Sequence, residues 1–153
     1  MDITIEQATA DDAETLVQLQ IAAFHHDALI YPGVEIGGPP GYDSVESVLQ
    51  KIHEDDCYKI TVDGQRVGGI VVFSKGEGHF HLDLIYIDPA YHNRGIGTRA
   101  MQFLEQHYAA TKWTLDTPDW AVRNHHFYEK FGYVKVGEDV QDDITLIAYE
   151  KQI

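Results

Sequence analysis

The sequence predicts an α+β fold: one mixed β-sheet of about seven strands flanked by four helices, in the order βααβββαβαββ. Three observations predict it. Segments that alternate apolar and polar residues are interleaved with segments whose apolar residues recur at helical spacing. Two glycine-bearing turns, Asp63-Gly64 and Lys75-Gly-Glu-Gly78, join three consecutive strand patterns. The third of those strands runs through Asp88-Pro89 into Gly95-Ile-Gly97 and then an amphipathic stripe, so a strand feeds a helix through a glycine-rich turn.

In chain order, Ile3 and Ile5 alternate with polar neighbours and predict a strand over 2–8. Thr9-Ala-Asp-Asp12 reads as a helix start, with acidic residues where the dipole favours them. Leu16, Leu19, Ile21, Ala23 and Phe24 carry that helix to about His26. Residues 28–43 contain Pro32, Gly33, Gly37, Gly38, Pro39, Pro40 and Gly41, which excludes long regular structure. The same stretch carries Tyr31, Val34, Ile36 and Tyr42, so it is either a connection packed on the core or a substrate-side lid.

Ser44 caps a second helix whose face is Val45, Val48, Leu49 and Ile52, ending near Glu54. Tyr58, Ile60 and Val62 form a strand, followed across the turns by Val67–Phe73 and His79–Ile87. Ile96, Ala100, Phe103, Leu104 and Tyr108 mark a helix to about Ala109. Trp113–Thr117 is a short strand, and Pro118-Asp119 opens a helix that runs to about Lys130 and stops at Gly132. Tyr133–Val136 and Ile144–Tyr149 close the sheet, joined by an acidic turn over 137–143.

At 153 residues, with 44% hydrophobic content, the chain is expected to be a single domain spanning 1–153. It carries 25 acidic and 11 basic residues, a formal charge of −14. That surface disfavours nucleic acid and anionic membrane as partners and is compatible with a cationic substrate such as an amine. No apolar run approaches the roughly 20 residues that span a bilayer. Met1-Asp-Ile-Thr-Ile-Glu6 lacks the basic and long apolar regions of a signal peptide. The single Cys57 leaves no internal disulfide, so a cytoplasmic location is expected. The nine histidines are scattered without zinc-like spacing, and no metal is expected.

The chemistry concentrates in Tyr91-His-Asn-Arg-Gly-Ile-Gly-Thr98. The N–H groups of a helix's first turn lack internal partners and sit at the positive end of its dipole. Gly95 and Gly97 remove Cβ atoms, which lets a phosphate approach the backbone, and Arg94 and Thr98 add a charge and a hydroxyl. A dinucleotide fingerprint fails because residue 100 is Ala, and no Gly-Lys-Ser/Thr of a P-loop is present.

The stretch Ile87-Asp-Pro-Ala-Tyr-His-Asn-Arg-Gly-Ile-Gly-Thr98 resembles the acyl-CoA signature of the GCN5-related N-acetyltransferase (GNAT) superfamily, Gln/Arg-x-x-Gly-x-Gly/Ala. A second block, Asn124-His-His-Phe-Tyr-Glu-Lys-Phe-Gly-Tyr133, is similar to that family's Phe-Tyr-Glu-Lys-x-Gly-Phe. The resemblance implies a GNAT-like fold in which the strand over 79–88 splays from that over 113–117. The pantetheine arm of acetyl-CoA then pairs with the strand near Ile85, Tyr86 and Ile87. A strand bulge commonly frees an N–H for the thioester carbonyl. The pyrophosphate lies on the turn formed by His92, Asn93, Arg94, Gly95, Ile96, Gly97 and Thr98.

Two positions depart from the family pattern. The first signature residue is His92 rather than Gln or Arg. The family's Asn seven residues before the Tyr is Ala121, while Asn124 lies four before Tyr128 and shares its helix face, so it is carried over as the cofactor contact.

By the same resemblance Tyr128 protonates the leaving thiolate; the alternative is an aromatic packed beside Phe127 and Phe131. The general base falls on His81, counted back from His92, with His79 and Asp83 on the same face and water as the alternative. Trp120 is read as packing or as a substrate contact, and His25, His26 and Asp27 lie near the lid. The expected activity is transfer of an acetyl group from acetyl-CoA to a primary amine of a small molecule, by direct attack in a ternary complex. The alternatives are a peptide or protein amine acceptor, or a non-catalytic acyl-CoA sensor. A homodimer is compatible with the resemblance.

Overall fold

Three mirror-image turns set the hairpins of the sheet. Asp63-Gly64, Glu77-Gly78 and Asp142-Asp143 each place two consecutive residues at positive φ, the geometry that matches the strand twist. In the computed structural model, which describes residues 1–153, the strands are β1 Ile3–Gln7, β2 Asp56–Val62, β3 Gln65–Gly76, β4 His79–Ile87, β5 Lys112–Pro118, β6 Val134–Gln141 and β7 Ile144–Gln152. The helices are α1 Ala13–Ile30, α2 Val45–Glu54, α3 Ile96–His107 and α4 Val122–Lys130. The predicted order and mixed sheet are observed, with strands arranged β1-β2-β3-β4-β5-β7-β6. Only the β4–β5 pair is parallel.

Three boundaries differ from the sequence reading. α1 continues four residues beyond His26, and the Tyr31 N–H closes the helix on the Asp27 carbonyl. β6 extends to Gln141, and the supposed acidic turn over 137–143 shrinks to Asp142-Asp143. The helix expected from Pro118-Asp119 begins at Val122, since β5 runs through Pro118 and residues 119–121 form the turn.

Helices cover both sheet faces. α3 and α4 cover the larger core, built on Trp113, Ile60, Ile70, Ile96, Met101, Leu104 and Leu115. α1 and α2 cover the smaller core, which includes Leu16, Val17, Val48, Val71 and Tyr86. One buried carboxylate ties the start of the chain to the sheet. Asp12 accepts the Thr9 N–H at 2.8 Å, the Arg66 guanidinium at 2.8 Å and the Lys59 ammonium at 3.3 Å. No helix is long and apolar enough to cross a membrane.

A bulge in β4 matters most for the site. Val71 pairs with Leu84 but Val72 pairs with Leu82, so Asp83 is an extra residue in β4. The insertion shifts the side-chain alternation by one. Phe80 and Leu82 before it, and Ile85 and Ile87 after it, all pack on the α3 core. His79, His81, Leu84 and Tyr86 are left facing the α1–α2 side.

Candidate active site

β4 and β5 are hydrogen-bonded over three rungs only, His79–Lys112, Phe80–Trp113 and His81–Thr114. Beyond His81 the strands part, while β5 stays paired with β7 through Pro118. The parted edge of β4 carries unused backbone groups. Asp88 donates its N–H to the Val67 carbonyl at 2.7 Å. By the alternation of an antiparallel ladder, Tyr86 and Leu84 also bond to β3, and Ile85 and Ile87 point their N–H and C=O groups toward β5. Tyr86 therefore offers no free backbone, and its side chain is buried in the smaller core with an unpartnered hydroxyl.

At the end of β4, Pro89–Tyr91 makes a single 3₁₀ turn, and Asn93 and Gly95 adopt positive φ of 61° and 79°. The first bond of α3 is from the Arg99 N–H to the Gly95 carbonyl at 3.0 Å. The N–H groups of Ile96, Gly97 and Thr98 therefore leave the helix end without an intrahelical partner, a cradle fit for an anionic phosphate. His92, Asn93, Arg94 and Gly95 are exposed around it, with the Arg94 guanidinium 5.1 Å from the Tyr91 ring centroid.

Two residues of this turn act differently from the sequence reading. A Cβ on Gly97 would stand 3.2 Å from Phe127 Cζ, so this glycine's missing side chain admits the α4 aromatic rather than the phosphate. The His92 Nε2–H donates to the Ile87 carbonyl at 2.9 Å, occupying one of the free acceptors on the β4 edge. Its ring also meets that of His26, with centroids 5.4 Å apart, which brings α1 to the phosphate turn.

On the α1–α2 side of the parted strands, His81 is 9% exposed and stacks on Phe73 at 4.9 Å. Its Nδ1 lies 2.8 Å from Thr114 Oγ1, and its Nε2 lies 3.7 Å from the Asp116 carboxylate. Burial and the Lys75 charge hold its pKa below the usual 6.5, against the pull of Asp116 and Asp83. The imidazole is thus neutral and able to accept a proton at physiological pH. Asp83 itself is engaged with Lys51 at 2.6 Å.

Tyr128 belongs to the opposite face, in the α3–α4 core among the rings of Phe127, Tyr133 and Tyr149. Burial alone raises its hydroxyl above the usual value of 10, so it keeps its proton at neutral pH. Asn124 is exposed and donates to Thr117 Oγ1 at 3.3 Å, which ties α4 to the end of β5. Cys57 is buried in β2, where burial pushes its thiol up to about 12, so it stays protonated at neutral pH.

The stretch read as a lid joins α1 to α4. Tyr31 is buried, its ring is 5.3 Å from Trp120, and its hydroxyl accepts the Arg123 N–H at 3.2 Å. Tyr42 is held to α1 by the Gln20 amide at 2.9 Å and by His25 at 2.7 Å. Asp27 lies one turn after Phe24 and one turn before the helix-capping Tyr31, and burial raises its carboxyl to about 6 against the pull of His26. Sequence reasoning missed Thr114 and Asp116. The alternation of Trp113, Thr114, Leu115 and Asp116 was the available signal, since it sends both polar side chains to the His81 face.

A family model described as the acetyltransferase (GNAT) family matches residues 17–133. The chain belongs to this family. Among curated relatives, the S-(2-succino)cysteine N-acetyltransferase of Bacillus subtilis is 27% identical over 159 aligned positions, covering 95% of this chain and 92% of that protein. The Bacillus subtilis protein YrkN is 42% identical over 73 residues, 46% of this chain and 40% of YrkN's own length. Among solved structures, the PaiA N-acetyltransferase of Thermoplasma acidophilum in complex with coenzyme A superposes with a TM-score of 0.79 at 20% identity, over 100% of both chains. That likeness shows the GNAT fold.

Proposed function

We propose that this GNAT protein transfers an acetyl group from acetyl-CoA to a primary amine of a small molecule, by direct attack in a ternary complex. The observation that carries this reading is the β4 edge, with the Ile85 backbone groups and the Ile87 N–H free of β5, leading directly to the unpaired N–H groups of Ile96, Gly97 and Thr98. That edge suits an amide-bearing arm, and the helix end suits a pyrophosphate, in the order that coenzyme A presents them. Acetyl-CoA supplies the thioester; the protein binds, orients and moves protons.

His81 is the base that removes the ammonium proton, whose ordinary pKa near 10.4 makes the free amine scarce at neutral pH. Tyr128, on the other face, donates its hydroxyl proton toward the departing sulfur. A base and an acid on opposite faces match an attack in which the amine arrives from one side and the thiolate departs to the other. His92, Asn93, Arg94 and Asn124 are the side chains proposed to flank the coenzyme. A small acceptor is favoured by the Tyr31–Trp120 contact, which roofs the α1–α2 side, and by the full-length relative, whose named acceptor is a modified cysteine.

Mass spectrometry of candidate amines incubated with acetyl-CoA tests the proposal. The amine gains one acetyl group, and Tyr128→Phe slows that gain while retaining acetyl-CoA affinity. Acetylated enzyme with unmodified amine would overturn direct attack.

A further inference from the structure

His79 and His81 converge on one hydroxyl. His79 Nε2 and His81 Nδ1 each lie 2.8 Å from Thr114 Oγ1. A hydroxyl carries one proton and two lone pairs, so Thr114 can accept from one imidazole while donating to the other, the arrangement that a relay needs. The three side chains form a continuous hydrogen-bonded chain across the short ladder that closes the parted strands. Its inner end is the buried His81, beside Asp116. Its outer end, His79, lines an open polar depression with Lys75, Glu77, Thr111, Lys112 and Gln152.

We propose that Thr114 and His79 relay to solvent the proton that His81 takes from the acceptor amine. The inference rests on the reading of His81 as the base. The ammonium gives its proton to His81 Nε2. The Nδ1 proton of His81 passes to Thr114 Oγ1, and the Thr114 hydroxyl proton passes to His79 Nε2. The Nδ1 proton of His79 then leaves to water. One proton enters the chain and one leaves it, so no member retains a charge, and each imidazole has changed tautomer.

The surroundings favour this direction. Burial and the Lys112 and Lys75 ammonium groups disfavour a charged His79 more than Glu150 favours it. Around His81, burial, Lys75 and His79 disfavour the charged ring against Asp116 and Asp83. A neutral His79 keeps Nε2 free to accept, and the two lysines drive a proton that reaches it outward. The surface as a whole is strongly acidic, so a lysine pair beside the outlet is a local exception.

The test uses the full chain with acetyl-CoA and whichever of S-(2-succino)cysteine, lysine and spermidine turns over fastest as the probe amine. Thr114→Val is expected to lower kcat about tenfold, less than the ~10²-fold minimum typical of direct acid–base groups. The KM for acetyl-CoA stays unchanged, and Thr114→Ser, which restores the hydroxyl, recovers the rate. The dependence of kcat on deuterium fraction is bowed for the parent protein and straight for Thr114→Val. His79→Ala also loses rate and regains it with added imidazole, which a purely structural role would not produce. If Thr114→Val keeps its rate and a bowed dependence while His81→Ala is inactive, the relay is wrong and the base stands. If His81→Ala keeps the parent rate and pH profile, the base reading fails and the relay falls with it.

Discussion

The Tyr31 ring packs against Trp120 at 5.3 Å, joining the end of α1 to the turn after β5. α1 rests on the β4 side and Trp120 follows β5, so the contact spans the opening between the parted strands. The Tyr31 hydroxyl adds a bond to the Arg123 N–H, in the first turn of α4.

Removing that roof should act on the acceptor and not on the coenzyme. Trp120→Ala is expected to raise the amine KM about tenfold, in keeping with the loss of an aromatic pair and its buried area. The acetyl-CoA KM should stay within twofold. Steady-state kinetics with each substrate varied in turn checks this.

Gly97 supports the phosphate turn through α4. Its Cα faces Phe127, and a Cβ there would already be tight at 3.2 Å. Gly97→Val should destabilise the protein by about 1–3 kcal/mol by overpacking and weaken coenzyme A binding by shifting α4. Adding Phe127→Ala should recover part of the stability. Chemical denaturation and calorimetric titration of the single and double variants measure both effects.

Asp12 makes the stability depend on pH. Burial raises its pKa, but the Thr9 N–H, Lys59 and Arg66 outweigh that, and the folded value lies below the usual 3.8. A lowered carboxyl contributes stability above the unfolded pKa and loses it as pH falls through the folded value. Asp12→Asn should therefore cost about 2 kcal/mol at pH 7, the range for hydrogen bonds to a charged group. The difference should shrink as the parent protein approaches its acid transition. Thermal melts across pH read it.

His81, the proposed base, should set the acidic limb of the rate profile. Its pKa is held below 6.5 by burial and Lys75, and only the neutral ring accepts a proton. The rise of kcat/KM for the amine should therefore have its midpoint below pH 6.5. His81→Gln should lower the rate by ~10²-fold or more and abolish that limb.

Much of this was legible before the structure. Asp63-Gly64 and Glu77-Gly78 announce their hairpins by composition, and Gly95-Ile-Gly97 announces a strand-to-helix turn. Asp142-Asp143 makes the same kind of turn without glycine, at a backbone cost that composition does not reveal. The Asp83 bulge was invisible because period two continues on either side of it, displaced by one residue. The Gly97–Phe127 contact joins two helices, which no local pattern encodes. The convergence of His79 and His81 on Thr114 depends on the parallel register of β4 and β5, which strand-by-strand reading does not supply.

The most direct test of the central claim is thiol release from acetyl-CoA, followed with and without a panel of small primary amines. Release should be slow alone and at least tenfold faster with a matching amine. Tight acetyl-CoA binding with background release against every amine would contradict it and leave the protein an acyl-CoA sensor.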